Sequence, residues 1–257
     1  MTESGVSVLP ITSLGLTHTV SRERISSGIP GLDAMLAGKG FYRGSSILVS
    51  GTAGTGKSSL AAHFAKATCE RGESCVYFSF EESRDQIIRN MESIGVSLRP
   101  WVEKGLLHFN TVRPTSLGME AHLSAFHKSI AEQAPTVAII DPLTNLISVS
   151  DMRGVKSMLT RLIDFLKMQR VTAMFTHLSA AGLDHSLEST DEGVSSLIDT
   201  WLLLRDIEHE GKRSYGVFVL KSRGMAHSHE IKEFRLTDKG IQIGDLVNKS
   251  IAKGLVS

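Results

Sequence analysis

Gly51-Thr52-Ala53-Gly54-Thr55-Gly56-Lys57-Ser58 decides how the rest of this chain is read. It satisfies G-x-x-x-x-G-K-[ST] at all four fixed positions, a match that average residue usage would produce in roughly 1% of chains this long. Its flanks agree. Ile47-Leu48-Val49 before it is a short buried strand, and Leu60, Ala61, Phe64, Ala65 and Thr68 after it fall at helical spacing from about Ser59. Glycines let the backbone curl until successive N–H groups point at one cluster of phosphate oxygens. The following helix adds free N–H groups and the positive end of its dipole, so Gly51 through Ser59 form one cradle. Lys57 supplies a mobile cation for the β- and γ-phosphates, and Ser58 places a hydroxyl where it can ligate Mg2+. A turn without a ligand would leave Lys57 with no structural purpose.

Further along, the sequence supplies acids. Asp141 directly follows the apolar strand Val137-Ala138-Ile139-Ile140. A carboxylate at the end of a parallel strand lies beside the phosphate loop and can hold magnesium through water. The plainer alternative is a cap on the next turn. Glu81-Glu82 end the strand Val76–Phe80. One of them is expected to face the crevice and take a proton from water or a hydroxyl. The competing reading is an acid pair favoured by the dipole of a helix starting near Ser83.

Strand and helix patterns alternate. Ile87, Ile88, Met91 and Ile94 mark a helix ended by Gly95, Leu106–Phe109 a strand, and 118–133 a helix stopped by Pro135. Val155, Met158, Leu159, Leu162, Ile163 and Leu166 form the clearest helical stripe, followed by a strand at Val171–Phe175. Three strands then follow, at Leu197–Leu204, Tyr215–Leu220 and Ile231–Leu236. The expected fold is α/β: a mostly parallel central sheet with helices on both faces and antiparallel strands extending its C-terminal edge. Residues 1–24 read as an arm or linker, 25–244 as one domain and 245–257 as a short tail.

Composition narrows the class. Twenty-eight Lys and Arg balance 27 Asp and Glu, so no global basicity suggests nucleic acid. Two cysteines, Cys69 and Cys75, are too few for a disulfide framework or a zinc site of their own. No apolar run reaches the ~18 residues of a membrane span, and the N-terminus lacks a signal-peptide pattern. A cytoplasmic protein without membrane contact is expected.

Gly51–Ser58, Phe80-Glu81-Glu82-Ser83, Ile139-Ile140-Asp141 and Lys221-Ser222-Arg223-Gly224 together resemble the KaiC family of RecA-like ATPases. Ile25-Ser26-Ser27-Gly28-Ile29-Pro30-Gly31-Leu32-Asp33 is similar to that family's opening segment, and the likeness runs to about Ile243. It is nearest to the second, C-terminal ATPase domain of the double-domain clock members, with residues 10–16 like the linker between domains. The resemblance implies a RecA-like P-loop core, Mg-ATP as cofactor and a homo-oligomer, a hexameric ring with ATP between subunits. It implies Glu81 and Glu82 as bases that activate water or hydroxyl, and Lys221 and Arg223 as cations reaching the neighbour's phosphates. Without it, both would read as solvated strand-end charges. Ser195 and Ser196 fall on the family's adjacent Ser-Thr phospho-acceptor pair, which implies a serine/threonine autokinase. The plainer reading is two strand-start serines.

Departures bear on partners. Ser148 stands where the clock protein has an arginine, and the tail ending Lys253-Gly254-Leu255-Val256-Ser257 does not resemble the longer one that recruits an activator. A stress-response or signalling role, with a KaiB-like or signalling-protein partner, is expected over a full oscillator. His177 is a candidate γ-phosphate sensor, and Phe41 and Tyr42 could flank the nucleotide. Trp101 and Trp201 read as core or interface, Cys69 as packing, and His227/His229 as a solvated loop pair. The rivals are a DNA-dependent recombinase-type ATPase and a nucleotide-gated scaffold. The first is disfavoured because loops 145–154 and 178–194 hold one cation, Arg153, and several acids.

Overall fold

The computed structural model describes residues 20–147, 152–179, 196–209 and 212–246. Its centre is a nine-stranded sheet. In chain order the elements are β1 (Arg24–Ile25), α1 (Pro30–Met35), β2 (Phe41–Tyr42), β3 (Ser46–Gly51), α2 (Lys57–Glu70), β4 (Cys75–Ser79), α3 (Arg84–Glu92), α4 (Arg99–Glu103) and β5 (Leu107–Thr111). Then come α5 (Met119–Gln133), β6 (Val137–Asp141), α6 (Thr144–Ile147), α7 (Met152–Met168), β7 (Thr172–Leu178), β8 (Thr200–His209), β9 (Lys212–Ser222), β10 (Lys232–Thr237) and β11 (Gly240–Gly244). The sheet order is β11-β10-β9-β8-β3-β7-β6-β4-β5; β8, β3, β7, β6, β4 and β5 are parallel, and β9 to β11 extend the sheet antiparallel.

Both faces are covered, so the central strands are apolar at nearly every position rather than alternating. One face of β3 and β4 presents Ile47, Val49, Cys75 and Tyr77 to α1, α2 and α3. The other presents Leu48, Val76 and Phe78 to α5 and α7, whose Met158, Leu159, Leu162, Ile163 and Leu166 are all buried. The stripe read from the sequence is therefore the inner face of α7.

Several boundaries differ from the sequence reading. The strand expected from Leu197 starts at Thr200, because the preceding residues form a turn held to β3. β8 and β9 run to 10 and 11 residues, and β11 adds a hairpin over α2 that short-range pattern did not mark. Arg24 is part of the fold: its Nη2 donates to the Leu36 carbonyl at 2.8 Å. Phe41 is core, edge-on to Phe64 at 5.4 Å, and the Tyr42 hydroxyl donates to the Gly224 carbonyl. Cys69 is buried, as its packing role requires, and burial pushes its thiol up to about 12.

Parallel pairing places strand ends. Gly51 is opposite Leu178, and Ser79 opposite Asp141. The phosphate loop, His177, Asp141 and the Glu81/Glu82 segment thus share the C-terminal end of the sheet.

Candidate functional site

Gly56 caps α2 in a left-handed conformation, φ +92°, without any side-chain cap, and no acidic residue lies in the helix's first turn. The first N–H groups of a 14-residue helix are thereby kept from side-chain acceptors, and its positive end is not neutralised. A side chain at Gly56 would meet the Phe234 ring at 2.8 Å, and one at Gly51 the Leu204 carbonyl at 2.5 Å. At Gly54, φ +79°, there is open space within 4 Å. Backing on one side and room on the other fit a phosphate.

Side chains tie the loop to itself. Thr55 Oγ1 donates to the Thr52 carbonyl at 2.9 Å, and Thr52 Oγ1 to Asp206 at 3.1 Å. Lys57 Nζ donates to the carbonyls of Gly51 at 2.9 Å and Thr52 at 2.6 Å. Burial lowers the Lys57 ammonium from its ordinary range, while Asp141 and Glu81 pull it back up. That coupling brings Glu81 into the electrostatic neighbourhood of Lys57.

Asp141 is 7% exposed. Tyr77 OH donates to its Oδ2 at 2.5 Å, and Thr176 Oγ1 donates to its Oδ1. Both hydroxyls come from neighbouring strands, so the carboxylate is fixed from two sides and is more than a turn cap. Burial, then Asp141 itself, raises the Tyr77 phenol far above its usual range, so it stays a donor. Asp141 and the Ser58 hydroxyl are hard oxygen donors, which fits Mg2+.

Glu81 is exposed and Glu82 half-buried. Neither belongs to α3. Ser83 caps that helix in a reciprocal box with Gln86, and Asp85 is the acid of its first turn. The dipole alone therefore does not account for the pair. Ser79 Oγ holds the Glu82 backbone, donating to its carbonyl at 2.7 Å, and Asn90 Nδ2 donates to Glu82 Oε1 at 2.9 Å. Burial, then Asp141 and Glu81, raise the Glu82 carboxyl above its ordinary value. An oriented carboxylate with raised basicity suits proton abstraction. His177 is buried beside Ser50, its Nδ1 3.3 Å from the Thr144 hydroxyl. Trp201 lies near the start of β8, paired with Leu48, and its indole reaches toward this end, donating from Nε1 to Ser50 Oγ at 2.7 Å.

Lys221 and Arg223 lie at the opposite end. Ser222 pairs with Thr200, and Thr200 with Ile47 near the start of β3. From Ile47 the strand runs four more residues, about 13 Å, to Gly51, where its own phosphate loop begins. Arg223 Nη2 donates to the Ser196 carbonyl at 2.8 Å. The second expected acceptor, Ser195, and the inner-loop residue Ser148 lie outside the described residues.

Sequence reasoning missed Tyr77, Thr176 and Asp206. Only Tyr77 left a signal, as the one residue with a polar tip and a large ring in an otherwise buried strand.

A glycine-rich phosphate-loop motif at the C-terminal end of a parallel sheet, with a fixed aspartate two strands away and a glutamate pair after β4, defines the RecA-like α/β class of nucleotide-binding folds. Residues 25–248 match the family described as ATPase: KaiC, and the chain belongs to it. Circadian clock protein KaiC2 of Synechocystis sp. is 48% identical over 254 residues, 99% of this chain and 44% of that protein. Circadian clock oscillator protein KaiC of Prochlorococcus marinus is 36% identical over 242 residues, 94% of this chain and 48% of that protein. Circadian clock protein KaiC3 of Synechocystis sp. is 35% identical over the same length. The chain spans about half the length of these relatives. Among the described residues no helix is long and apolar enough to cross a membrane.

Proposed function

We propose that this KaiC-type ATPase domain uses Mg-ATP at a site completed by a second copy, in a ring of six, and phosphorylates Ser195 or Ser196 of that copy as well as hydrolysing ATP. One observation carries this reading. Arg223 grips the Ser196 carbonyl at the end of β3 remote from the chain's own phosphate loop. Acceptor and cations travel together, and neither reaches the loop of its own subunit.

In this reading the backbone N–H groups from Gly51 to Ser59 and the Lys57 ammonium hold the triphosphate. Ser58 and Asp141 would hold Mg2+, which shields phosphate charge when bound. Glu82, steered by Asn90, takes the proton from the attacking oxygen, with Glu81 beside it. The oxygen is water's in hydrolysis and the serine hydroxyl's in autophosphorylation. The new P–O bond forms as the bond from the γ-phosphorus to the bridging oxygen breaks, and ADP carries away the released electron pair. Lys221 and Arg223 of the adjoining copy counter the charge that develops on the transferring group.

Incubation with Mg-ATP, then intact-mass measurement and peptide mapping, tests this. Phosphate on Ser195 or Ser196 is expected, together with ADP. ADP without phosphoprotein would remove the kinase step. Glu81→Gln with Glu82→Gln should retain ATP binding and lose at least ~100-fold in turnover; parent-like turnover would remove the base assignment.

A further inference from the structure

The end of the sheet that carries Lys221 and Arg223 is organised around one carboxylate. Asp199 Oδ2 accepts from the Ser46 N–H at 2.9 Å and from the Lys167 ammonium at 2.9 Å. The Ser46 hydroxyl lies 2.9 Å from the same oxygen and 3.0 Å from the Leu197 carbonyl, so its single proton is shared between them. Three donors on one oxygen are best served by an anion. Burial pushes the Asp199 carboxyl up, but Lys167 and Ser46 outweigh it and leave it below its ordinary value. The backbone of the same residue is also engaged. Asp199 N–H donates to the Ser46 carbonyl at 2.9 Å, and its own carbonyl accepts from the Arg223 N–H at 2.8 Å. One residue therefore clamps four pieces: the start of β3, the end of α7, the turn that begins at Ser196, and the segment carrying Arg223.

The ladder between β8 and β9 fixes Lys221 and Ser222, which pair with Trp201 and Thr200. Arg223 lies one residue past the end of β9, and the turn from Ser196 precedes the start of β8 at Thr200. Beyond the ladder, the placement of Arg223 against that turn rests on the Asp199 contacts and on the Arg223 guanidinium at the Ser196 carbonyl.

We infer that Asp199 is a positioning residue: it holds the acceptor-bearing turn and the Lys221–Arg223 segment as one rigid face, so that hydroxyl and cations arrive in register at a neighbouring subunit's phosphate loop. This rests on the shared-site reading above. Asp199 touches no reacting atom. Its effect runs through Arg223 and the turn, where a misplacement of about 1 Å can cost on the order of 100-fold in rate.

A mixed-subunit assay tests it with two full-length chains told apart by a mass tag. The acceptor chain carries Lys57→Ala, which disables its own loop. The loop chain carries Ser195→Ala, Ser196→Ala and Arg223→Ala, so that only the acceptor chain can complete its loop. Phosphate on the acceptor chain and ADP release are both followed, with circular dichroism on every variant. The control mixture is expected to phosphorylate the acceptor chain. Adding Asp199→Asn to the acceptor chain should lower both signals at least about tenfold. Adding it to the loop chain should cost much less. Lys167→Gln in the acceptor chain, a milder change, should act in the same direction, and Lys167→Arg should restore the signal.

Equal loss from either chain would mean a general structural role, and no loss from the acceptor chain would mean none; either result overturns the inference. A control mixture that releases ADP without phosphoprotein removes the kinase step alone, and Asp199 is then judged on ADP. A control mixture in which neither signal depends on the partner chain defeats the shared site, and this inference with it.

Discussion

Strand β3 has two differently built ends. At its C-terminal end, the phosphate loop is assembled from neighbours in sequence, and Lys57 folds back onto carbonyls only five and six residues away. At its N-terminal end, Ser46, Lys167, Asp199 and Arg223 come from four distant parts of the chain. The first end is shaped by backbone geometry, which survives most side-chain changes. The second holds a surface through side-chain ion pairs and hydrogen bonds, which single substitutions break. A local motif can recognise a triphosphate alone. A face that must meet another molecule needs several elements locked together.

Breaking the loop end should give the largest effect. Lys57→Ala removes the one flexible cation among backbone dipoles, and ATP turnover should fall to background, read as ADP release. Retained turnover would mean the loop is not where the triphosphate is processed. Breaking the opposite end should separate binding from chemistry. Arg223→Ala should leave the nucleotide affinity of a single subunit within about twofold and lower turnover roughly 1,000-fold, the scale of a cation delivered to a transferring phosphoryl group. A parallel loss of affinity in unassembled protein would place Arg223 at its own loop.

A smaller change sharpens the loop end. Tyr77→Phe removes one of two donors that fix Asp141 and keeps the ring's packing against Phe109. Losing one charge-assisted hydrogen bond is worth about 1.5–3 kcal/mol at most. The expected result is a rise of about tenfold in the magnesium concentration needed for half-maximal turnover, with kcat at saturating magnesium nearly kept. An equal fall in kcat at every magnesium concentration would point to a broader disturbance.

The smallest effect concerns stability. His63 on α2 donates from Nδ1 to the Ser59 carbonyl at 2.8 Å and accepts at Nε2 from the Ile241 N–H at 3.0 Å, tying the phosphate-loop helix to β11. That pattern needs the neutral ring. Burial lowers the His63 pKa below its ordinary value of 6.5, with Lys66 acting the same way and the Ser59 carbonyl and Glu70 opposing. The folded protein resists protonation that the unfolded chain accepts. Its contribution is complete above pH 6.5 and is lost as pH falls below that value. His63→Leu strands a buried N–H and should cost about 2 kcal/mol near pH 7.5, a Tm drop of roughly 4–8 °C. The variant should also lose less Tm between pH 7.5 and 5.5 than the parent does, measured by thermal denaturation. An unchanged slope would remove His63 as its source.

Legibility followed range. The eight-residue loop, the strand before it and the helix after it were readable because each obeys a local rule. The positions of Asp141 and the glutamate pair at strand ends were readable from the apolar runs before them, and parallel pairing brings those ends to the side of the sheet that carries the loop. Tyr77 and Thr176 were not, since their value lies in a shared partner across strand pairings. Arg223 and Ser196 are 27 residues apart, and no local pattern shows that one holds the other.

Periodicity and one glycine-rich motif determined the alternation of strands and helices, the loop between β3 and α2 and the acids at neighbouring strand ends, because those features depend on neighbours within a turn or a strand. The strand order, the hydroxyls that aim Asp141, and the union of Ser196, Arg223 and Asp199 at the far end were decided only when the chain closed on itself. Hydrogen bonds and ion pairs act over a few ångströms of space, and separation along the chain does not register that distance.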